Sequence, residues 1–95
     1  NANFTAVSGG AYICNTGDVG AFTMTLPASP QDNDYVIFCD GYGKWKTTNL
    51  TVDRNGENIA GEAANLVCDS DWATLRLTYK TTPDVTSSFI GWVLT

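Results

Sequence analysis

Ninety-five residues allow one compact module over 1–95, and a chain of this size buries only roughly two-thirds of its unfolded surface. Ten Asp and Glu against five Lys and Arg give a net charge of −5, which repels phosphate backbones and disfavours nucleic acid as a partner. Histidine is absent, which removes Ser-His triads and imidazole metal ligands, and no apolar run is long enough to cross a bilayer. The chain is therefore expected to be soluble, without membrane insertion. With no initiator Met, it reads as a fragment or processed form of a longer chain, and its C-terminal part is the expected source.

In chain order, the first candidate strand is the short "AYICN" (11–15), between the turn signals "SGG" and "NTGDVG". "AFTMTL" (21–26) alternates Phe22, Met24 and Leu26 with Thr23 and Thr25, the two-residue period of a half-buried strand, and Pro27 closes it. After the turn-rich "PASPQDND" comes "DYVIFCD" (34–40), a continuous apolar run expected to be covered on both faces. "NLTVD" (49–53) follows the turn "DGYGK", and "RNGEN" (54–58) closes it. "GEAANL" (61–66) has the composition for at most one helical turn, and "NLVCD" (65–69) is another short strand. "ATLRLTYK" (73–80) alternates Leu75, Leu77 and Tyr79 with polar residues. After the turn-like "TTPDVTSS" (81–88), "SFIGWVLT" (88–95) is β-branched and aromatic, with Gly91 marking a bulge or a close approach.

Strands at about ten-residue spacing with such punctuation predict an all-β fold. The expected form is a small antiparallel β-sandwich or barrel-like sheet of about seven to eight short strands.

Cys14, Cys39 and Cys68 are an odd number without a C-x-x-C, and each adjoins an apolar run, so they read as small buried hydrophobes. The pairs "DND" (32–34) and "DSD" (69–71) have the oxygen spacing of calcium ligands, but Asp is also a preferred turn residue, and the turn reading is favoured. No metal or other cofactor is expected. No pair of carboxylates stands in an apolar setting that would tune one as an acid, so an enzyme is not expected. In "GYGKWKTT", Tyr42, Lys44, Trp45 and Lys46 form the candidate ligand-binding set, able to stack on a sugar or steer an acidic glycan. The competing and favoured reading puts Trp45 in the core with the lysines solvated; Trp72 and Trp92 carry the same ambiguity. Two N-x-T sequons, at Asn3 and Asn49, carry little weight in a chain so rich in Asn and Thr.

Asp53, Asn55 and Glu57 alternate like the opening of a calcium loop. Such a loop needs Gly at its sixth position and an acid at its twelfth, where Asn58 and Ala64 stand. Asn55-Gly56 instead supplies the two positive-φ residues of a type I′ turn, the structural turn expected to join "LTV" to "NIA" as a hairpin tip.

Taken together, Tyr12 to Thr16, Gly20 to Pro30 ("GAFTMTLPASP"), Asn49 to Gly61 ("NLTVDRNGENIAG") and Gly91-Trp92 resemble a module of bacteriophage tail fibres and tailspikes. The resemblance covers nearly the whole chain from Tyr12 onward. It implies a non-enzymatic virion module, made in the host cytoplasm and packed as a homotrimer, that contacts a host-surface glycan or protein receptor. It carries over no catalytic residue and no sugar-binding set, and the three cysteines depart from its pattern. An aromatic is usual at the place of Trp45, which strengthens the core reading of that residue. A monomeric carbohydrate-binding module, stacking sugars on Tyr42, Trp45 or Trp72, is the alternative.

Overall fold

The computed structural model describes residues 3–81 and 91–95. Eight strands run through them: β1 (Phe4–Thr5), β2 (Ala11–Ile13), β3 (Phe22–Thr25), β4 (Tyr35–Cys39), β5 (Leu50–Asp53), β6 (Leu66–Cys68), β7 (Thr74–Lys80) and β8 (Gly91–Leu94). They form two four-stranded sheets, ordered β1-β3-β5-β6 and β2-β4-β7-β8, and neither closes on itself. All seven strands expected from the sequence are present, and β1 is an addition. The turn expected over 81–88 lies outside the described residues after Thr81, as do 88–90 of the last apolar run.

The sheets are mixed, which corrects the antiparallel expectation. From β1 to β5 the chain crosses from one sheet to the other at every connection. Each strand therefore lies parallel to the one two places earlier, as β1 with β3, β3 with β5, and β2 with β4. A parallel pair needs a crossover, and here a strand in the opposite sheet supplies it. From β6 the chain reverses, and β5/β6, β4/β7 and β7/β8 are antiparallel. Side-chain period fixes which residues face inward, but not the direction of the neighbouring strand.

The two inner faces share one core. Phe22, Met24, Leu50, Val52 and Cys68 come from the first sheet, and Val36, Phe38, Leu77, Tyr79 and Trp92 from the second. Registers such as Met24↔Val52 and Val36↔Leu77 put these residues in rows. Burying each large apolar side chain contributes about 1.5–3 kcal/mol. Only the inner face of β4 is fully covered, because Tyr35 is exposed and Ile37 and Cys39 are half-buried. Double coverage of that strand is thus corrected to single coverage. Gly91 is a close approach, as expected: Trp92 N donates to Asn58 O at 2.8 Å, and a Cβ on Gly91 would lie 2.5 Å from that oxygen.

Among the described residues one helical turn exists, but at α1 (Thr16–Val19) rather than in 61–66. Asn15 caps it by accepting the Gly17 N–H at 2.9 Å, so a segment read as a turn closes into helix because an Asn precedes it.

Asn55 and Gly56 have φ of 48° and 88°, and Glu57 N donates to Arg54 O at 3.1 Å, the geometry expected of a type I′ turn. The strand it was expected to return as does not form, because β5 pairs with β6 at 66–68. The turn instead opens a connection over 54–65, where a second two-residue turn, Ala60-Gly61, is closed by paired Ile59–Glu62 hydrogen bonds of 3.0 Å. Asn55 Nδ2 donates to Leu26 O at 3.0 Å, which ties this connection to the end of β3.

Candidate functional site

Residues following β4 and those preceding β7 meet at a surface shelf, and Asp40 holds them together. Asp40 is 2% exposed, and its carboxylate accepts four backbone N–H groups. Oδ1 takes Tyr42 N at 3.1 Å; Oδ2 takes Lys44 N at 2.8 Å, Trp45 N at 3.1 Å and Trp72 N at 3.0 Å. The first of these is the Asx-turn that an Asp before Gly-x-Gly favours, and the last reaches 32 residues along the chain. Burial pushes the Asp40 pKa up, but the four N–H donors outweigh it and hold the carboxyl below its ordinary value. A second carboxylate straps the same segments, since Asp71 Oδ1 accepts Lys46 N at 2.8 Å.

Asp40 thereby fixes the backbone beneath two exposed aromatics. Tyr42 is 55% exposed and Trp72 is 67% exposed. Trp72 has φ of 61°, in the left-handed region that a bulky side chain rarely occupies. Its indole lies over Gly43, itself at φ 67°, and a Cβ there would meet Cε2 of the ring at 2.6 Å. Only glycine leaves room for the ring. Lys44 and Lys46 are exposed beside it, with the Lys44 stem running over Gly17.

Of the candidate set, Tyr42, Lys44 and Lys46 thus reach the surface. Trp45 does not: it is fully buried, and its Nε1 donates to Cys14 O at 3.0 Å. This corrects its place in a ligand-binding set and agrees with its core reading. Trp92 is buried against Tyr79, and its indole N–H finds no acceptor among the described residues. Sequence reasoning left Trp72 ambiguous and placed Asp40 at the end of a strand and the start of the turn "DGYGK". The Asp-Gly-x-Gly run was the available signal for Asp40.

A shallow cavity of about 160 Å³ adjoins the shelf, lined by Trp45, Leu66, Cys68, Ala73 and Leu75. All three cysteines are free thiols. Burial and a neighbouring thiol push Cys14 up to about 11 and Cys68 up to about 12, which keeps both protonated at neutral pH. In "DND", Asp34 Oδ2 accepts Gln31 N, the turn chemistry favoured above, whereas Asp32 Oδ1 accepts Thr81 N, 49 residues along the chain. Among the described residues no cluster of Cys, Asp and Glu has the arrangement of a metal site. The sequon amide of Asn49 donates to Trp45 O, and that of Asn3 accepts Thr23 N, so both serve the fold.

Among known proteins, no family model and no curated relative matches the chain.

Proposed function

We propose that this chain is a non-enzymatic, structural and receptor-contacting module of a bacteriophage tail fibre, assembled on the virion as a homotrimer. The sequence resemblance supplies the class of protein. The observation that carries the receptor contact is the shelf: a buried carboxylate holds Trp72, an exposed aromatic, in a strained backbone conformation. Strain of this kind contributes nothing to stability and gathers where a surface is used. Self-assembly draws support from the outer face of the second sheet. Exposed Ile13 and Tyr35 stand there with half-buried Ile37 and Cys39, next to the free edge of β2. A sandwich of two sheets with open edges can bury such a face against copies of itself.

Sedimentation equilibrium at micromolar concentration tests the assembly, with a trimer mass expected. Competition by the purified chain against adsorption of the parent virus tests the contact, and Trp72→Ala is expected to abolish that competition. A stable monomer that still binds through Tyr42 and Trp72 favours the second reading, a monomeric carbohydrate-binding module, which rests on the same exposed pair.

A further inference from the structure

The chemistry around Trp72 identifies the class of ligand the shelf fits. One face of the indole is backed by the main chain of Gly43, and two-thirds of the side chain is exposed. No acceptor among the described residues takes its ring N–H, so that donor is open to a ligand. The platform does not depend on its own burial to stay in place, because the Trp72 backbone N–H is anchored on Asp40.

The charges of the segments that form the shelf nearly cancel. Lys44 and Lys46 carry two positive charges and Asp69 and Asp71 two negative ones, all four exposed and none in an ion pair among the described residues, and the buried Asp40 carboxylate beneath adds one negative charge. An anionic ligand meets both carboxylates and the −5 charge of the whole chain, while a cationic one meets both ammonium groups. An apolar ligand needs an enclosing pocket, and this shelf is open. What remains is a neutral molecule with a flat apolar face and a rim of groups that both donate and accept. A pyranose ring has that form: its C–H face stacks on an aromatic, and its hydroxyls accept from lysine or indole N–H and donate to carboxylates.

We infer that the Tyr42–Trp72 shelf binds an uncharged hexopyranose unit of a surface glycan, with Trp72 as the stacking platform and Lys46 and Asp71 as hydroxyl partners. This rests on the receptor-contacting reading above and narrows it to a ligand chemistry.

The test is a fluorescence titration of the full chain with neutral hexose and N-acetylhexosamine oligosaccharides, and in parallel with a galacturonate oligomer. Trp45 and Trp92 are buried, so a shift in emission on binding reports Trp72. A neutral sugar is expected to shift the emission to the blue with an affinity unchanged by added salt. Trp72→Ala is expected to weaken binding roughly tenfold or more, and Trp72→Phe to retain part of it. Loss of binding in Lys46→Gln of a few-fold would support the rim assignment. A stronger, salt-sensitive response to the galacturonate overturns the neutral class, and no response to any saccharide up to millimolar concentration overturns the inference. Virus adsorption separates this from the reading beneath it. If Trp72→Ala abolishes competition for adsorption but no saccharide binds, the receptor contact stands and the sugar falls. If a neutral sugar binds through Trp72 without any competition, the sugar stands and the fibre falls.

Discussion

Among the described residues three irregular regions put non-glycine residues in the left-handed conformation, and two of them, the connection over 54–65 and the shelf, do so by different means. The connection over 54–65 places Asn55 and Ala60 at φ 48° and 52°, each followed by a glycine that completes a two-residue turn. Its turns close on local hydrogen bonds, as Asn55 N to Asp53 Oδ1 at 2.8 Å and Glu57 N to Arg54 O, while Ala60 N, donating to Trp92 O at 2.8 Å, ties the connection to β8. The shelf places Trp72 at φ 61° through a carboxylate 32 residues earlier. The first region is punctuation whose conformation its own dipeptides set. The second is a conformation imposed from outside on a side chain that buries little, and this separates a turn from a candidate site.

The largest expected effect breaks the imposed conformation. Asp40→Asn replaces one acceptor oxygen by a donor facing a backbone N–H and removes the charge from the remaining bonds. A loss of about 3 kcal/mol is expected, a large part of the stability of a small domain. The urea midpoint should fall accordingly, and Trp72 emission should change before global unfolding. Asn55→Ala, by contrast, should leave Trp72 emission unaltered. A midpoint within error of the parent would show that Asp40 organises nothing.

The same carboxylate sets an acid limit. The Asp40 carboxyl is held below its ordinary value of 3.8, so over that interval the unfolded chain binds more protons than the folded one. Its contribution is complete above about pH 5 and is lost as pH falls through the folded value. Asp32, held low by the Thr81 N–H and then by Lys80, has the same sign from an exposed position. Denaturant melts at descending pH should show stability falling below about pH 4, with a shallower fall in Asp40→Asn. Equal slopes in the two proteins would place the acid response elsewhere.

Two glycines sharpen the contrast next. Gly56, at φ 88°, has no atom within 4 Å of an added Cβ, so Gly56→Ala meets only the left-handed penalty of about 1–2 kcal/mol. Gly43→Ala meets that penalty and also drives a methyl into the Trp72 ring. It should cost about 1 kcal/mol more and displace the indole, seen as altered emission and lost adsorption. Equal costs would mean that the ring yields freely and that Gly43 does not seat it.

How far the sequence was legible follows the same division. Strand positions could be read because alternation is local, as Phe22-Met24-Leu26 and Leu75-Leu77-Tyr79 show. Strand direction could not, since nothing in "AFTMTL" or "NLTVD" records that the intervening strand crosses to the other sheet. Asn55-Gly56 announced its dihedrals but not its partner, because β6 begins ten residues after Gly56 and "NIA" looks no less strand-like than "LVC". The shelf was half legible: Tyr42 and the lysines follow from their turn, and the aromatic pattern placed Trp45 inside. Asp40 could be read as a turn residue in "DGYGK" and Trp72 as a candidate platform, but their link was out of reach, since it is one long-range hydrogen bond between turn-like segments. No period or dipeptide encodes such a contact.

The smallest effect tests whether the 54–65 turns are as independent of the rest as the comparison holds. Ala60 is exposed and sits at φ 52°, where its methyl group is unfavourable by about 1–2 kcal/mol relative to glycine. Ala60→Gly removes that strain, and the more flexible unfolded chain takes back about 0.4–1 kcal/mol. The two terms leave a net stabilisation of about 0.5 kcal/mol, or a rise of roughly 2–4 °C in Tm. Trp72 emission and adsorption should not change. A fall in Tm would mean that the Ala60 methyl makes a contact outweighing its strain, and a change at Trp72 would mean that the two regions are coupled through the core.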